Sequence, residues 1–321
     1  MGEFDLIERF FKRPPRKADV GVGDDCAVWT PRSGHQLALS TDMLVEGRHF
    51  LSTVNPQHLG HKSLAVNLSD LAACGATPQA FLLSLSLPRA DESWLQGFSK
   101  GLFELADLHS CDLIGGDTTQ GPLNISITVM GDTPQGQSIL RSGAQVGDDV
   151  YVSGHLGDAR LALEAFRGTV NLPQAVFEMA RRRMECPTPR IALGQALRGV
   201  AHAMADISDG LLGDLGHILR ASQVGAEIDT HIAAGLMQTG PLWPCPKEWT
   251  MTCVLSGGDD YELVFTASPL AFADVQRAAL DTSTPITRIG RITGSKQLVL
   301  LGVDGQHIES SFESFDHFAG R

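Results

Sequence analysis

The chain has 321 residues, of which 43% are hydrophobic and 19% charged, with a formal net charge of −12 at pH 7. That length holds two domains or one large one, and the balance is that of a globular rather than a disordered protein. The acidic excess excludes the basic footprint of broad nucleic-acid binding, and no apolar run reaches the ~18 residues of a membrane span.

The start, "MGEFDLIERFFKRPPRK", lacks the basic, apolar, small order of a signal peptide. The six cysteines form no CxxC pair, so they are expected to be reduced, mostly buried small apolar residues of a cytoplasmic protein.

In chain order, "FDLIERFF" predicts a short amphipathic helix through Phe4, Ile7 and Phe11. "HQLALSTD" predicts a strand running into a polar turn. "NPQHLGHKSLAVNLSDLAACGA" has helix-start chemistry, with Asn55 as cap and Pro56 in the first turn. "AFLLSLSLP" reads as a strand. "DESWLQGFSKGLFELADLH" reads as an amphipathic helix through Trp94, Phe98, Leu102 and Leu105. "CDLIGGD" predicts a strand and a glycine turn, and "LNISITVMG" a strand with Leu123, Ile125, Ile127 and Val129 on one face.

A boundary is expected near 140 to 150, giving domains 1–140 and 141–321. In the second part, helical patterns lie around 157–168, 173–184 and 190–200. "AMADIS" predicts a strand, "DGLLGDLGHILRAS" a helix, and "TCVLSGGDDYELVFT" a strand, a turn and a strand. Alternating strands and helices with some hairpins predict an α/β (α+β) protein of two lobes, with mixed sheets flanked by helices.

Polar turns rich in aspartate follow these elements: "GVGDDC" (Asp24, Asp25), "LSTDM" (Asp42), "NLSD" (Asp70), "LIGGDTT" (Asp117), "ADISDG" (Asp206, Asp209) and "LSGGDDYE" (Asp259, Asp260, Glu262). A short Asp on a stiff turn holds its oxygens in fixed places, which suits Mg²⁺ and its demand for oxygen ligands. Neighbouring Ser and Thr add hydroxyls, and glycines let the backbone approach a phosphate. Some of these acids have plainer readings. Asp24 and Asp148 read as turn residues, and Asp209 and Asp214 as acids dressing the first turn of a helix. Asp70 is harder to dismiss, because an unpartnered carboxylate within an apolar helix is costly. No GxxxxGK[ST], HExxH, EF-hand loop or GxSxG elbow is present. "GVGDDC" is only a partial GxGxxG.

The ordered set "GVGDDCAV", "STDMLVEGRHF", "KSLAVNLSDLAACGATP", "LIGGDTTQGPL", "RSGAQVGD", "DISDGLLGDLGHI" and "LSGGDDYEL" closely resembles the thiamine-monophosphate kinase family, within the aminoimidazole-ribonucleotide synthetase-related superfamily. The resemblance runs over nearly the whole chain. It implies the two-domain fold of that superfamily, with an N-terminal domain carrying metal and ATP loops and a dimer interface. The C-terminal domain would complete the nucleotide and substrate sites.

The implied reaction is ATP-dependent phosphorylation of thiamine monophosphate to thiamine diphosphate, assisted by several Mg²⁺ ions, in a homodimer. By the same resemblance, Asp25, Ser40, Thr41, Asp42, Asp70, Asp117, Asp206 and Asp209 are metal ligands. Gly116, Asp117, Arg141 and Ser208 contact ATP, and His49, Asp259 and Phe315 contact thiamine monophosphate. Two positions depart from the family: Asp259 stands where Glu is usual, and Phe315 where Tyr is common.

The chemistry agrees with this implication. A phosphate monoester has a second pKa of about 6 and is already a nucleophilic dianion at neutral pH, so neither a general base nor a covalent catalytic residue is expected. Direct in-line transfer between two polyanions needs charge screening instead. The alternatives are another ATP-using enzyme of the superfamily, a metal-dependent phosphatase, or a non-catalytic metal or nucleotide sensor.

Overall fold

The computed structural model describes residues 2–308. The chain divides after Gly136, and the short stretch Ala72–Gly75 goes with the second unit.

The first unit begins with helix α1 (Glu3–Phe10). Its strands are β1 (His35–Val45), β2 (Thr77–Leu87), β3 (Asp112–Gln120) and β4 (Asn124–Pro134), in the sheet order β1-β4-β2-β3. β4 runs antiparallel to β1 and β2, and β2 runs parallel to β3. Period-2 alternation sends Phe81, Leu83, Leu85, Ile125, Ile127 and Val129 to one buried face. The buried apolar side chains of α2 (Pro56–Ala73) and α3 (Glu92–Leu108) complete this core.

The expected Asn55 cap forms, and Asp91 supplies a second. Asn55 Oδ1 accepts the Gln57 N–H at 2.9 Å, and Asp91 caps α3 through the Trp94 N–H at 3.1 Å. The two helices touch backbone to backbone: a Cβ on Gly101 would lie 1.8 Å from Gln57 O, so only glycine fits there.

The second unit holds a seven-stranded sheet. Its strands are β5 (Asp149–Ser153), β6 (Ala203–Asp206), β7 (Gly225–Asp229), β8 (Leu263–Ala267), β9 (Ile286–Thr293), β10 (Leu298–Leu301) and β11 (His307–Ile308), in the order β11-β10-β7-β9-β5-β8-β6. Among the described strands of this sheet only the β10–β7 pair is parallel. The helices are α4 (Asp158–Phe166), α5 (Gln174–Glu185), α6 (Ile191–Ala196), α7 (Leu211–Ser222), α8 (Thr230–Ala234), α9 (Lys247–Ser256) and α10 (Phe272–Asp281). Val150, Val152, Ile207, Leu211, Leu215, Val254, Val264 and Ile289 form one buried cluster. On the other face of the sheet, Tyr151 stacks on Phe265 with ring centroids 5.2 Å apart.

The fold is thus the expected mixed α/β architecture, with local corrections. "STD" and "GGD" are not turns but lie inside β1 and β3. Both strands are sheet edges, where one side is unpaired and polar residues cost little. "TCVLS" is the end of α9 rather than a strand. A short apolar run does not distinguish the two by periodicity. Asp148 is no solvated turn residue. It is buried and accepts the Gln145 N–H at 2.9 Å, with His202 Nδ1 also 2.9 Å away. All six cysteines are free, but only Cys111 and Cys253 are buried and Cys26 is exposed.

Candidate active site

In the first unit the expected site residues fall into two groups. Residues two apart in a strand share a face, so Ser40 and Asp42 project from the same side of β1. The Ser40 hydroxyl donates to the Asp70 carboxylate on α2. One turn earlier on that helix, Asn67 Oδ1 accepts the Asp42 N–H at 3.1 Å, and Ser126 Oγ donates to Asp42 O at 3.2 Å. The i, i+3 spacing of Asn67 and Asp70 puts both on one helix face. The partnered Asp70 is what the apolar sequence around it required. Thr41 lies on the opposite face of β1, where its hydroxyl donates to Ile127 O at 3.0 Å and accepts from Thr128 at 3.1 Å. Its side chain is not brought to Ser40 and Asp42.

The second group lines an open cleft of about 1100 Å³ that includes Asp24, Asp25, Gly116, Asp117, Thr118 and Met130. Asp25 and Asp117 are both exposed. Asp24 behaves as the turn residue it was read to be, its Oδ1 accepting the Asp25 N–H at 2.8 Å. Gly116 has φ +145°, and a Cβ there would lie 1.8 Å from Leu83 O. The "GG" of this motif therefore serves close strand packing as well as any ligand.

His49 sits in the turn after β1, and its Nδ1 accepts the Val45 N–H at 3.0 Å. A neutral ring accepting at Nδ1 carries its proton on Nε2. His49 is thus pre-set as a donor from Nε2, the form suited to a phosphate oxygen.

In the second unit, Asp206 ends β6 and is buried. β6 pairs with β8, placing Asp206 opposite Leu263. The loops 207–210 and 257–262 therefore leave the same end of the sheet. They are joined by backbone hydrogen bonds: Asp259 N–H to Ser208 O at 2.7 Å, Tyr261 N–H to Ile207 O at 2.8 Å, and Ile207 N–H to Glu262 O at 2.8 Å. Ser208 and Asp259, far apart in sequence, become neighbours.

Asp214 was read from the sequence as a helix-dressing acid and does more. Its Oδ2 accepts the N–H groups of both Ser208 and Asp209 at 3.0 Å. Burial pushes its carboxyl up to about 7, and the Asp209 charge adds to that, against the two amide donors and the Arg141 guanidinium. Burial also lowers His217, as do Arg141 and Arg220 nearby. Ser208 and Asp209 are thus held by their amides at the Asp214 carboxylate at the start of α7, within reach of the Arg141 charge.

Asp260 and Glu262 turn inward and are spoken for. Both Asp260 oxygens accept the Gly157 N–H, at 2.9 and 3.1 Å. Glu262 pairs with Arg183 and Arg190. Asp259, unlike these two acids, is only partly buried. Phe315 lies outside the described residues.

The donors in both units are hard oxygens, carboxylate and hydroxyl, which match Mg²⁺ and not a thiophilic metal. Among the described residues no three His, Cys, Asp or Glu side chains converge into a cage.

Residues 23–133 match the AIR synthase related protein N-terminal domain, and residues 145–302 match its C-terminal domain. The thiamine-monophosphate kinase of Escherichia coli (strain K12) is 41% identical over 99% of this chain and 98% of its own length. The crystal structure of thiamine-monophosphate kinase from Stenotrophomonas maltophilia K279a superposes with a TM-score of 0.84 at 43% identity, covering 95% of this chain and 96% of that one. A structure of AaThiL complexed with AMPPCP and TMP superposes with a TM-score of 0.76 at 30% identity, covering 90% and 89%. With both domains matched in order and identity sustained end to end, the chain belongs to the thiamine-monophosphate kinase family of AIR synthase related proteins.

Proposed function

We infer that this protein transfers the γ-phosphoryl group of ATP to thiamine monophosphate, giving thiamine diphosphate and ADP. The observation that carries the reading is end-to-end similarity to thiamine-monophosphate kinases, one of them a complex with AMPPCP and TMP. An oxygen of the acceptor phosphate attacks Pγ, and the bond from Pγ to the β–γ bridging oxygen breaks. The acceptor is already a dianion, so no side chain need take a proton.

The residues then act by position and charge. Ser40, Thr41, Asp42 and Asp70, with Asp25 and Asp117 in the cleft and Asp206 and Asp209 in the second unit, would hold Mg²⁺. Thr41 would serve through its backbone carbonyl, given where its hydroxyl points. When bound, Mg²⁺ neutralises phosphate charge and lets two polyanions approach. Gly116 and Asp117, with Arg141 and Ser208, bind the nucleotide. The Asp214 carboxylate fixes the loop that carries Ser208 and Asp209. His49 donates from Nε2 to the acceptor phosphate, and Asp259 and Phe315 contact the thiamine moiety.

We place the enzyme in the cytoplasm as a homodimer. Free cysteines support the first. The second is supported by the edge strand β1, which leaves Leu37, Leu39 and Met43 47–62% exposed along one face. Among the described residues no helix is long and apolar enough to cross a membrane.

Product analysis tests the reaction. Thiamine diphosphate is expected only when protein, ATP, Mg²⁺ and thiamine monophosphate are all present. ATP loss that is independent of the acceptor would point instead to a phosphatase.

A further inference from the structure

Three of the four residues Gly258–Tyr261 are left-handed: Gly258 at φ +70°, Asp259 at +63° and Tyr261 at +52°. Aspartate visits this region at some cost and tyrosine at more. Such a backbone persists where its surroundings over-determine it.

The surroundings are a buried lattice of charges. Glu262 is fully buried and accepts from Arg190 Nε at 2.6 Å, Arg190 Nη2 at 2.5 Å, Arg183 Nη2 at 2.9 Å and Ser153 Oγ at 2.6 Å. Ser153 Oγ in turn accepts the Leu263 N–H at 2.9 Å. The carboxylate also fills the space beside Gly154, where a Cβ would lie 2.1 Å from Glu262 Oε1. Arg183 further opposes the burial-raised Asp260, whose oxygens face the Gly157 N–H. The two acids flanking Tyr261 are therefore anchored inward, and Asp259 is left half-exposed.

We propose that Glu262, with Arg183 and Arg190, is a positioning device for the acceptor site: it holds the left-handed loop so that Asp259 faces thiamine monophosphate. This rests on the kinase reading and on the acceptor role given there to Asp259. None of the three lattice residues needs to touch a substrate. Glu262 also fixes the partner loop, because its carbonyl accepts the Ile207 N–H one residue before Ser208.

The test is a double-mutant cycle with an exchange readout. Glu262→Gln keeps volume and loses charge. Arg190→Lys is the milder second variant should the first not fold. Glu164→Gln, in another buried carboxylate on α4 that is ion-paired with Arg160 and Arg167, is the control.

Glu262→Gln is expected to lower kcat/KM for thiamine monophosphate about tenfold, through KM more than kcat. In an Asp259→Ala background the same change should cost no more than roughly twofold. Amide exchange at Asp259 and Tyr261 should accelerate in Glu262→Gln and Arg190→Lys but not in Glu164→Gln. Equal losses in both backgrounds would overturn the proposal, since they would mean general loosening. If the wild type makes no thiamine diphosphate, the kinase reading falls by itself. Exchange then decides the positioning claim, and wild-type protection of those two amides in folded Glu262→Gln would overturn it.

Discussion

Two sets of acids, one in each unit, are used in opposite ways. In the first, Asp25 and Asp117 stand exposed on the wall of an open cleft. Among the described residues no ion pair engages either of them. In the second, Asp158, Asp260 and Glu262 are buried and each is met by backbone amides, a hydroxyl or guanidinium groups. The sequence writes Asp25, Asp117, Asp158 and Asp260 alike, as aspartates within two residues of a glycine. Burial separates them. An exposed carboxylate keeps its lone pairs available for a cation at little folding cost, whereas a buried one must be satisfied internally and becomes scaffold.

Substitutions can break this contrast. The largest expected effect is on catalysis in the first unit: Asp42→Asn or Asp117→Asn should lower kcat by about a hundredfold or more. The thermal midpoint should shift little, because neither side chain is buried. Steady-state kinetics beside calorimetry checks the pair, and a large stability loss with kcat retained would reverse the assignment. Next, Glu262→Ala should cost about 3–5 kcal/mol of stability, because it leaves two guanidinium groups facing an empty buried site. Denaturant unfolding measures it.

A subtler prediction concerns pH. Burial raises Asp260 well above its ordinary value of 3.8, so the folded state holds a proton that the unfolded state releases. That contribution to stability is full below about pH 4 and is lost as pH rises toward the folded pKa. Asp260→Asn should remove this loss, so wild type should fall behind the variant on going from pH 4 to 8. His49→Ala comes next, raising KM for thiamine monophosphate with kcat less affected. Smallest of all, Cys26→Ser at an exposed position should change stability by less than about 0.5 kcal/mol.

Much of the fold was legible because its signals are local. The apolar rows of α3 and β4, the Asn55 cap and the strand–helix alternation are set by residues near one another in sequence. The errors came where tertiary position overrides pattern. "STD" and "GGD" look like turns until the sheet order makes β1 and β3 edge strands. "TCVLS" is apolar enough for a strand but ends a helix.

At the site, motif resemblance named Asp42, Asp70 and Ser208. It did not indicate that Thr41 points away from Ser40, because that follows from strand alternation once "STD" is seen to lie within β1. It singled out Asp259 as a substrate contact but did not indicate that Asp260 and Glu262 are buried and internally satisfied. The left-handed backbone turns one acid out and two in, and no single-residue propensity encodes that. Asp214 carried a signal that was read only in part: an acid in the first turn of a helix can reach back to the amides of the loop before it.

The most direct test of the account is the stoichiometry of ADP and thiamine diphosphate formed from ATP and thiamine monophosphate by wild type and by Asp42→Asn. The account expects one thiamine diphosphate per ADP in wild type and loss of both products together in the variant. ADP without thiamine diphosphate, or undiminished thiamine diphosphate from Asp42→Asn, would contradict it.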